Sequence, residues 1–161
     1  MLLLAMISTM LYSVLHVGIK YAKQGGERVM FMERERSLLD LFHRQIHGAW
    51  YNALQNKTDI IVDDNKLMVV TTRPLLYRTL EVVLAIYLYE PAEQVLYYTE
   101  KKDFYNTDYD EDYEPDRDEM IVLFEGGGEL SMEYDEEEGV VSIIYQGLQY
   151  DMFARCQSGG F

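Results

Sequence analysis

Six carboxylates fall at near-alternating positions of one short acidic segment and could together bind a calcium ion. They occupy the ligand positions of a twelve-residue EF-hand loop: Asp108, Asp110, Asp112, Glu114, Asp116 and Glu119. Tyr113 stands where that loop requires glycine, and Pro115 follows closely, so the segment departs from an EF-hand. Two interpretations stay open: a looser calcium site on Asp108, Asp110, Asp112 and Glu119, or a solvated, mobile loop.

Other groups that could carry out chemistry are few. Asp40, His43 and His47 share one face of a predicted helix and could bind a metal, although solvent-facing histidines explain the same spacing. Glycines 126–128 have no Lys-Ser/Thr after them, so they predict a hairpin or bulge rather than a phosphate-binding loop. Cys156 has no histidine near it in the sequence. Because no nucleophile and base are recognisable together, we predict no catalytic residues, no enzymatic activity and no cofactor other than calcium.

The elements that would position these groups begin with an apolar segment. Residues 1–19 contain no Lys, Arg, Asp or Glu. As a helix they would extend for about 28 Å, close to the roughly 30 Å hydrocarbon core of a bilayer. We predict a membrane or filament-core helix over residues 1–26; a cleavable signal and a buried core helix are the alternatives. The positive-inside rule alone would place the next domain in the cytoplasm, because Lys20, Lys23 and Arg28 follow the apolar segment; a natural basic leader before Met1 would remove this preference.

A second helical segment follows. Leu38, Phe42, Ile46 and Trp50 recur every four residues, which predicts an amphipathic helix to about residue 50 with one face buried. Asp40 and Arg44 have the spacing of an i, i+4 ion pair.

Downstream, the apolar residues alternate, which predicts antiparallel strands. The predicted strands are residues 59–62, 66–72, 81–90, 94–100, 120–124, 129–134, 140–145 and 149–154. We therefore predict an α+β fold in which the sheet packs on the amphipathic part of one long N-terminal helix. The chain would consist of the apolar helix, residues 1–26, and an α+β head, residues 27–161.

Composition excludes several classes of partner. The 161 residues carry a formal net charge of −14, and residues 100–119 hold ten carboxylates against three basic side chains. This excess argues against nucleic-acid binding and against adhesion to an anionic membrane surface. The single cysteine cannot form an intramolecular disulfide.

Several segments carry a resemblance to a known family. They are Leu-Tyr-Ser-Val-Leu at 11–15, Glu-Arg-Glu-Arg-Ser-Leu-Leu-Asp-Leu-Phe at 33–42, and the paired segments 82–88 with 94–98 and 120–126 with 130–134. In these the sequence resembles type IV pilin-like proteins, most closely the J-class minor pseudopilins of bacterial type II secretion.

The resemblance implies a structural subunit for protein export. Its helix would lie in the bacterial inner membrane and its head in the periplasm, and it would join other minor pseudopilins or pilins at the pseudopilus tip, where secreted cargo could also bind. The resemblance assigns the filament-core contacts to five apolar side chains: Leu4, Ile7, Leu11, Val14 and Leu15.

The sequence also departs from that family. A basic leader, a peptidase site and a glutamate early in the helix are absent, and so is a Trp-Pro and Leu-Pro ending. We expect the leader and roughly ten residues to precede Met1, which would lengthen the helix by about 15 Å. A membrane-anchored calcium-binding or sensing domain and a minor pilin of a type IV pilus are the alternative functions.

Overall fold

The structure, a computed structural model, describes residues 29–52, 57–63, 65–77, 81–126 and 128–154, apart from the side chains of residues 52, 57 and 58. The chain divides into two compact units, Met1–Ser37 and Leu38–Phe161. The helix predicted over residues 1–26, with its five assembly residues, lies outside the described ranges. Within those ranges, no helix has both the length and the apolar character needed to cross a membrane.

The described helix, α1, covers residues 29–47. Its first part, to Ser37, exposes Val29, Met30 and Met32, and the Ser37 hydroxyl donates to the Glu33 carbonyl at 2.8 Å.

Within the second unit, the rest of α1 is amphipathic. Leu38, Phe42 and Ile46 are buried, as the four-residue spacing predicts. The prediction for Trp50 is wrong, because α1 ends at residue 47 and the Trp50 side chain is 44% exposed. The predicted Asp40–Arg44 ion pair is likewise absent from the ion pairs of the described residues.

In the described ranges, ten strands follow α1 and form three antiparallel sheets. The strands are β1 Tyr51–Asn52, β2 Lys57–Thr58, β3 Ile60–Asp63, β4 Lys66–Thr71, β5 Val83–Glu90, β6 Val95–Lys101, β7 Ile121–Glu125, β8 Leu130–Asp135, β9 Val140–Tyr145 and β10 Leu148–Phe153. The sheets have the orders β1-β2, β3-β4-β5-β6-β7 and β10-β9-β8. The predicted α+β class is confirmed, and each of the eight predicted strands has a counterpart within two residues at either end.

The five-stranded sheet is covered on both faces. On one face, the Phe42 ring of α1 lies 4.6 Å from the Tyr87 ring of β5, measured between centroids. On the other face, Met68 and Val70 of β4 form a buried cluster with Leu84 and Ile86 of β5. A sheet with two buried faces explains why β4 and β5 are apolar almost throughout rather than alternating.

Gly126 and Gly128 lie between a strand of one sheet and a strand of another. Gly126 and Gly128 have φ values of 74° and 84°, which non-glycine residues rarely adopt. The Tyr89 hydroxyl donates to the Gly128 carbonyl at 2.6 Å and fixes this connection to β5. The prediction of a hairpin here is wrong, because β7 belongs to the five-stranded sheet and β8 to the three-stranded sheet.

Candidate functional site

The acidic segment, by which we mean residues 102–120, connects β6 to β7 and packs against the five-stranded sheet. Its aromatic residues Phe104, Tyr109 and Tyr113 are partly buried and contact the buried cluster of β4 and β5. Tyr109 and Tyr113 form an edge-to-face pair with their centroids 4.8 Å apart, an arrangement that aromatic rings favour. The interpretation of this segment as a solvated loop is therefore wrong for its aromatic side chains, which cover the second face of the sheet.

Lys66 fastens the acidic segment to the sheet. This first residue of β4 is only 7% exposed. Its ammonium group donates to the carbonyls of Glu111 at 2.5 Å and Tyr113 at 2.9 Å, and lies 3.6 Å from the Asp63 carboxylate. A buried ammonium must be hydrogen-bonded, and these two carbonyls satisfy it. The most acidic part of the chain is thus held by an internal cation.

The four residues assigned to calcium are all exposed, and their backbone amides or carboxylates make different local contacts. Asp110 Oδ1 accepts a hydrogen bond from the amide of Asp112 at 3.1 Å, which closes a turn. The amide of Asp108 donates to the Asn106 side chain at 3.2 Å. Glu119 forms an ion pair with Lys101 of β6. In this arrangement three of the four carboxylates lie in a turn-rich loop, and the fourth is paired with a lysine.

Neither predicted metal site forms a cluster in the described part of the chain. No three or more His, Cys, Asp or Glu side chains gather there as metal ligands would. The rings of His43 and His47 stack on the exposed side of α1 with their centroids 5.7 Å apart. Calcium binding by Asp108, Asp110, Asp112 and Glu119 stays a prediction that a titration can test.

A second set of polar side chains is buried between α1 and the sheet. Gln45, fully buried, accepts a hydrogen bond from the Tyr87 hydroxyl and donates to the Tyr98 hydroxyl at 2.7 Å and to the Arg73 carbonyl at 3.1 Å. Tyr98 in turn donates to Glu100. We call Gln45, Tyr87, Tyr98 and Glu100 the buried polar network. Every member has a partner, as burial of polar groups requires.

Glu100 links this network to the segment after β4. Its carboxylate accepts hydrogen bonds from the amide of Leu75 and, at 3.0 Å, from the amide of Leu76. The buried polar network therefore determines the path of the chain beyond Arg73. Nothing in it resembles a nucleophile with an adjacent base, and its contacts indicate a structural role.

Because of the two tyrosines in the network, the free energy of unfolding should change with pH in the alkaline range. Burial is the main cause that raises the pKa of Tyr87, and the negative charge of Glu100 raises it further. Burial also raises the pKa of Tyr98. In the unfolded chain both hydroxyls lose a proton near pH 10, whereas in the folded protein they keep it. The unfolded state then binds fewer protons, so the free energy of unfolding should fall as pH rises above about 10.

Denaturant unfolding at a series of alkaline pH values measures this dependence. Tyr87→Phe should make the decline shallower, whereas Tyr105→Phe, which alters a side chain that is 78% exposed, should leave it unchanged. Tyrosinate absorbance of the folded protein gives a second test. Ionisation of all tyrosines near pH 10 in the folded protein would contradict the prediction.

Sequence reasoning missed Lys66, Gln45 and Glu100, although Lys66 and Gln45 each have a signal in the sequence. Lys66 has the alternating phase of Met68 and Val70, and Gln45 lies beside Phe42 and Ile46 on the helix. A polar residue that continues the spacing of buried apolar residues is predicted to be buried itself, and therefore to have an ion-pair partner or to belong to a hydrogen-bond network. Which partner it meets depends on elements distant in sequence.

No protein-family model, no curated protein and no solved structure matches this chain.

Proposed function

We propose that this protein is a structural, non-enzymatic minor subunit of a bacterial type II secretion pseudopilus. In this proposal the apolar segment of residues 1–26 holds the chain in the inner membrane and later in the filament core. The α+β head lies in the periplasm and docks with other minor pseudopilins at the filament tip. The pilin-like fold, with one long N-terminal helix, is part of the same proposal.

One observation carries the proposal: a helix that precedes the ten strands of the described residues buries one face against antiparallel sheet. Leu38, Phe42 and Ile46 form that buried face. In the sequence, a stretch free of Lys, Arg, Asp and Glu comes before this helix. An apolar helix that is stable in lipid can equally pack among like helices, where van der Waals contacts replace lipid.

Copurification from the native membrane tests this assignment. The full chain, tagged at its C-terminus and extracted in mild detergent, should copurify with other pilin-like subunits of a type II secretion system. Replacing Leu11 and Val14 by Asp should abolish the association, because charges in an apolar helix interface are costly. A lone monomer in the extract would contradict the proposal, and copurification with type IV pilus subunits would replace it with the pilus alternative.

Calorimetric titration with calcium tests the sensing alternative. Because Glu119, one of the four assigned ligands, is already paired with Lys101, we expect no heat of binding and no shift of the melting temperature on adding calcium. Saturable heat that is lost in Asp110→Asn and Asp112→Asn would favour a calcium-binding domain. Asp151→Asn, on an exposed strand of the three-stranded sheet, is the matched control.

A further inference from the structure

A groove in the second unit lies at the end of α1. Its volume is about 320 Å³. Described residues from the end of α1, from the chain leading into β1 and from the segment after β4 line it: His47, Gly48, Ala49, Trp50, Tyr51, Thr72 and Arg73. Trp50 is the single tryptophan of the chain, and it is 44% exposed. Tryptophan, tyrosine and arginine, which occur together here, are the residues most enriched among the energetic anchors of protein interfaces.

The groove differs in charge from the rest of the protein. The chain has 28 acidic and 14 basic residues, yet no Asp or Glu is among the described residues that line the groove. In the second unit, four Lys and Arg side chains pair with carboxylates: Lys66, Lys101, Lys102 and Arg117. Arg44 and Arg73 form no ion pair with any described carboxylate. Arg73 lines the groove, and Arg44 lies one helical turn before Gly48.

The backbone of Arg73 is held in place although its charge is unpaired among the described groups. Its carbonyl accepts a hydrogen bond from Gln45 at 3.1 Å, and its amide donates to the Thr71 hydroxyl at 3.2 Å. The stem of Arg73 lies against Gly48, where an added Cβ would come within 2.5 Å of Arg73 Cγ. The backbone of Arg73 and the first part of its side chain are therefore held before a ligand binds, which lowers the entropy cost of binding.

The backbone of Trp50 is also held by hydrogen bonds. Its amide donates to the Val70 carbonyl at 2.7 Å, and its carbonyl accepts from the Asp59 amide at 3.2 Å. The backbone on both sides of the groove is thus attached to the five-stranded sheet. An exposed indole on a rigid backbone gives an apolar contact at small cost in conformational entropy.

We propose that this groove binds an acidic peptide segment of a partner subunit. A carboxylate of the partner would form a charge-assisted, two-bond contact with the Arg73 guanidinium, and a neighbouring Leu, Tyr or Phe side chain would pack on Trp50. The inference rests on the proposed function, in which the head works by docking. A protein segment is favoured over an anionic lipid surface because a net charge of −14 repels such a surface.

The single tryptophan makes binding measurable in the unmodified protein. The probe is an array of short peptides in which Asp or Glu stands beside Leu, Tyr or Phe, with a matched array in which Asn and Gln replace the acids. Peptides that bind are then titrated in solution while Trp50 fluorescence is recorded. We expect a saturable change with the acidic peptides, a weaker one with their amide counterparts, and loss of affinity as salt rises.

Arg73→Gln should weaken the acidic peptides by about tenfold, the loss expected for one charge-assisted contact. Lys102→Gln is the matched control: it removes the same charge from an exposed side chain outside the groove and should change affinity by less than about twofold. Gly48→Ala, which keeps every charge but displaces the Arg73 stem, should also weaken binding.

Four outcomes would overturn the proposal. They are equal binding of acidic and amide peptides, equal effects of Arg73→Gln and Lys102→Gln, binding only to vesicles of anionic lipid, and no binding at low salt. If a peptide of residues 103–119 is the best probe and the protein dimerises, a second copy takes the place of the partner subunit. If copurification succeeds while Arg73→Gln has no effect on peptide binding, the groove proposal is rejected and the pseudopilus assignment is kept. Peptide binding without copurification would reject the pseudopilus assignment alone.

Discussion

Replacement of Lys66 by Met is expected to reduce the free energy of unfolding by about 2 to 3 kcal/mol. The substitution keeps an unbranched side chain that is one heavy atom shorter, and it removes the donor shared by the carbonyls of Glu111 and Tyr113. Hydrogen bonds to a charged group contribute about 1.5 to 3 kcal/mol, and their loss leaves partly buried carbonyls without that partner. Denaturant unfolding of the variant and of the parent protein measures the difference.

Hydrogen exchange adds a local measurement for the same variant. Amides of residues 103–115 should exchange faster in Lys66→Met, because the acidic segment is no longer fastened to β4. Lys102→Met removes a charge from a side chain that is 57% exposed and should cost less than about 1 kcal/mol. Equal stability of the two variants would mean that the aromatic contacts of Tyr109 and Tyr113 hold the segment by themselves.

Replacement of Gln45 by Leu should lower the free energy of unfolding by about 3 kcal/mol or more. Leucine has a similar volume, so no large cavity results. The Tyr87 hydroxyl would lose its acceptor and the Arg73 carbonyl its donor, whereas the Tyr98 hydroxyl would lose one of two partners and keep Glu100. Each unsatisfied buried polar group costs about 1 to 3 kcal/mol.

Gln149→Leu is the matched control, because Gln149 lies on β10 and is exposed, and its side chain bonds to Ser142 and Asp151 among the described residues. It should change stability by less than about 0.5 kcal/mol. A double variant with Tyr87→Phe should cost less than the sum of the single variants, because both remove the same hydrogen bond. Additive costs, or a loss below about 1 kcal/mol for Gln45→Leu, would contradict a cooperative network.

The order of elements was predictable from the sequence. A four-residue apolar spacing from Leu38 to Ile46 identified the buried face of α1, and changes to alternation identified eight strands. These patterns succeed because each reports a local backbone period together with burial of one side. Trp50 shows where the period misleads: it continues the spacing, but the helix has already ended and the next residues enter a different element.

The two-residue strands β1 and β2 and the division into three sheets were not predictable in this way. Short strands have too few residues to show a period, and sheet membership depends on which strands meet. The glycines at 126–128 illustrate the second point, because the same residues could turn a hairpin or, as here, pass from one sheet to another.

By itself, the sequence determined that this chain would be α+β and strongly acidic, with a charge-free segment at residues 1–19. Only the tertiary structure decided that the acidic segment packs on the sheet, that Lys66 holds it, and that Arg73 and Trp50 meet at one groove. The physical reason is that local periodicity specifies which face of an element is buried. The pairing of a buried ammonium or amide with its acceptors depends instead on contacts between residues more than twenty positions apart.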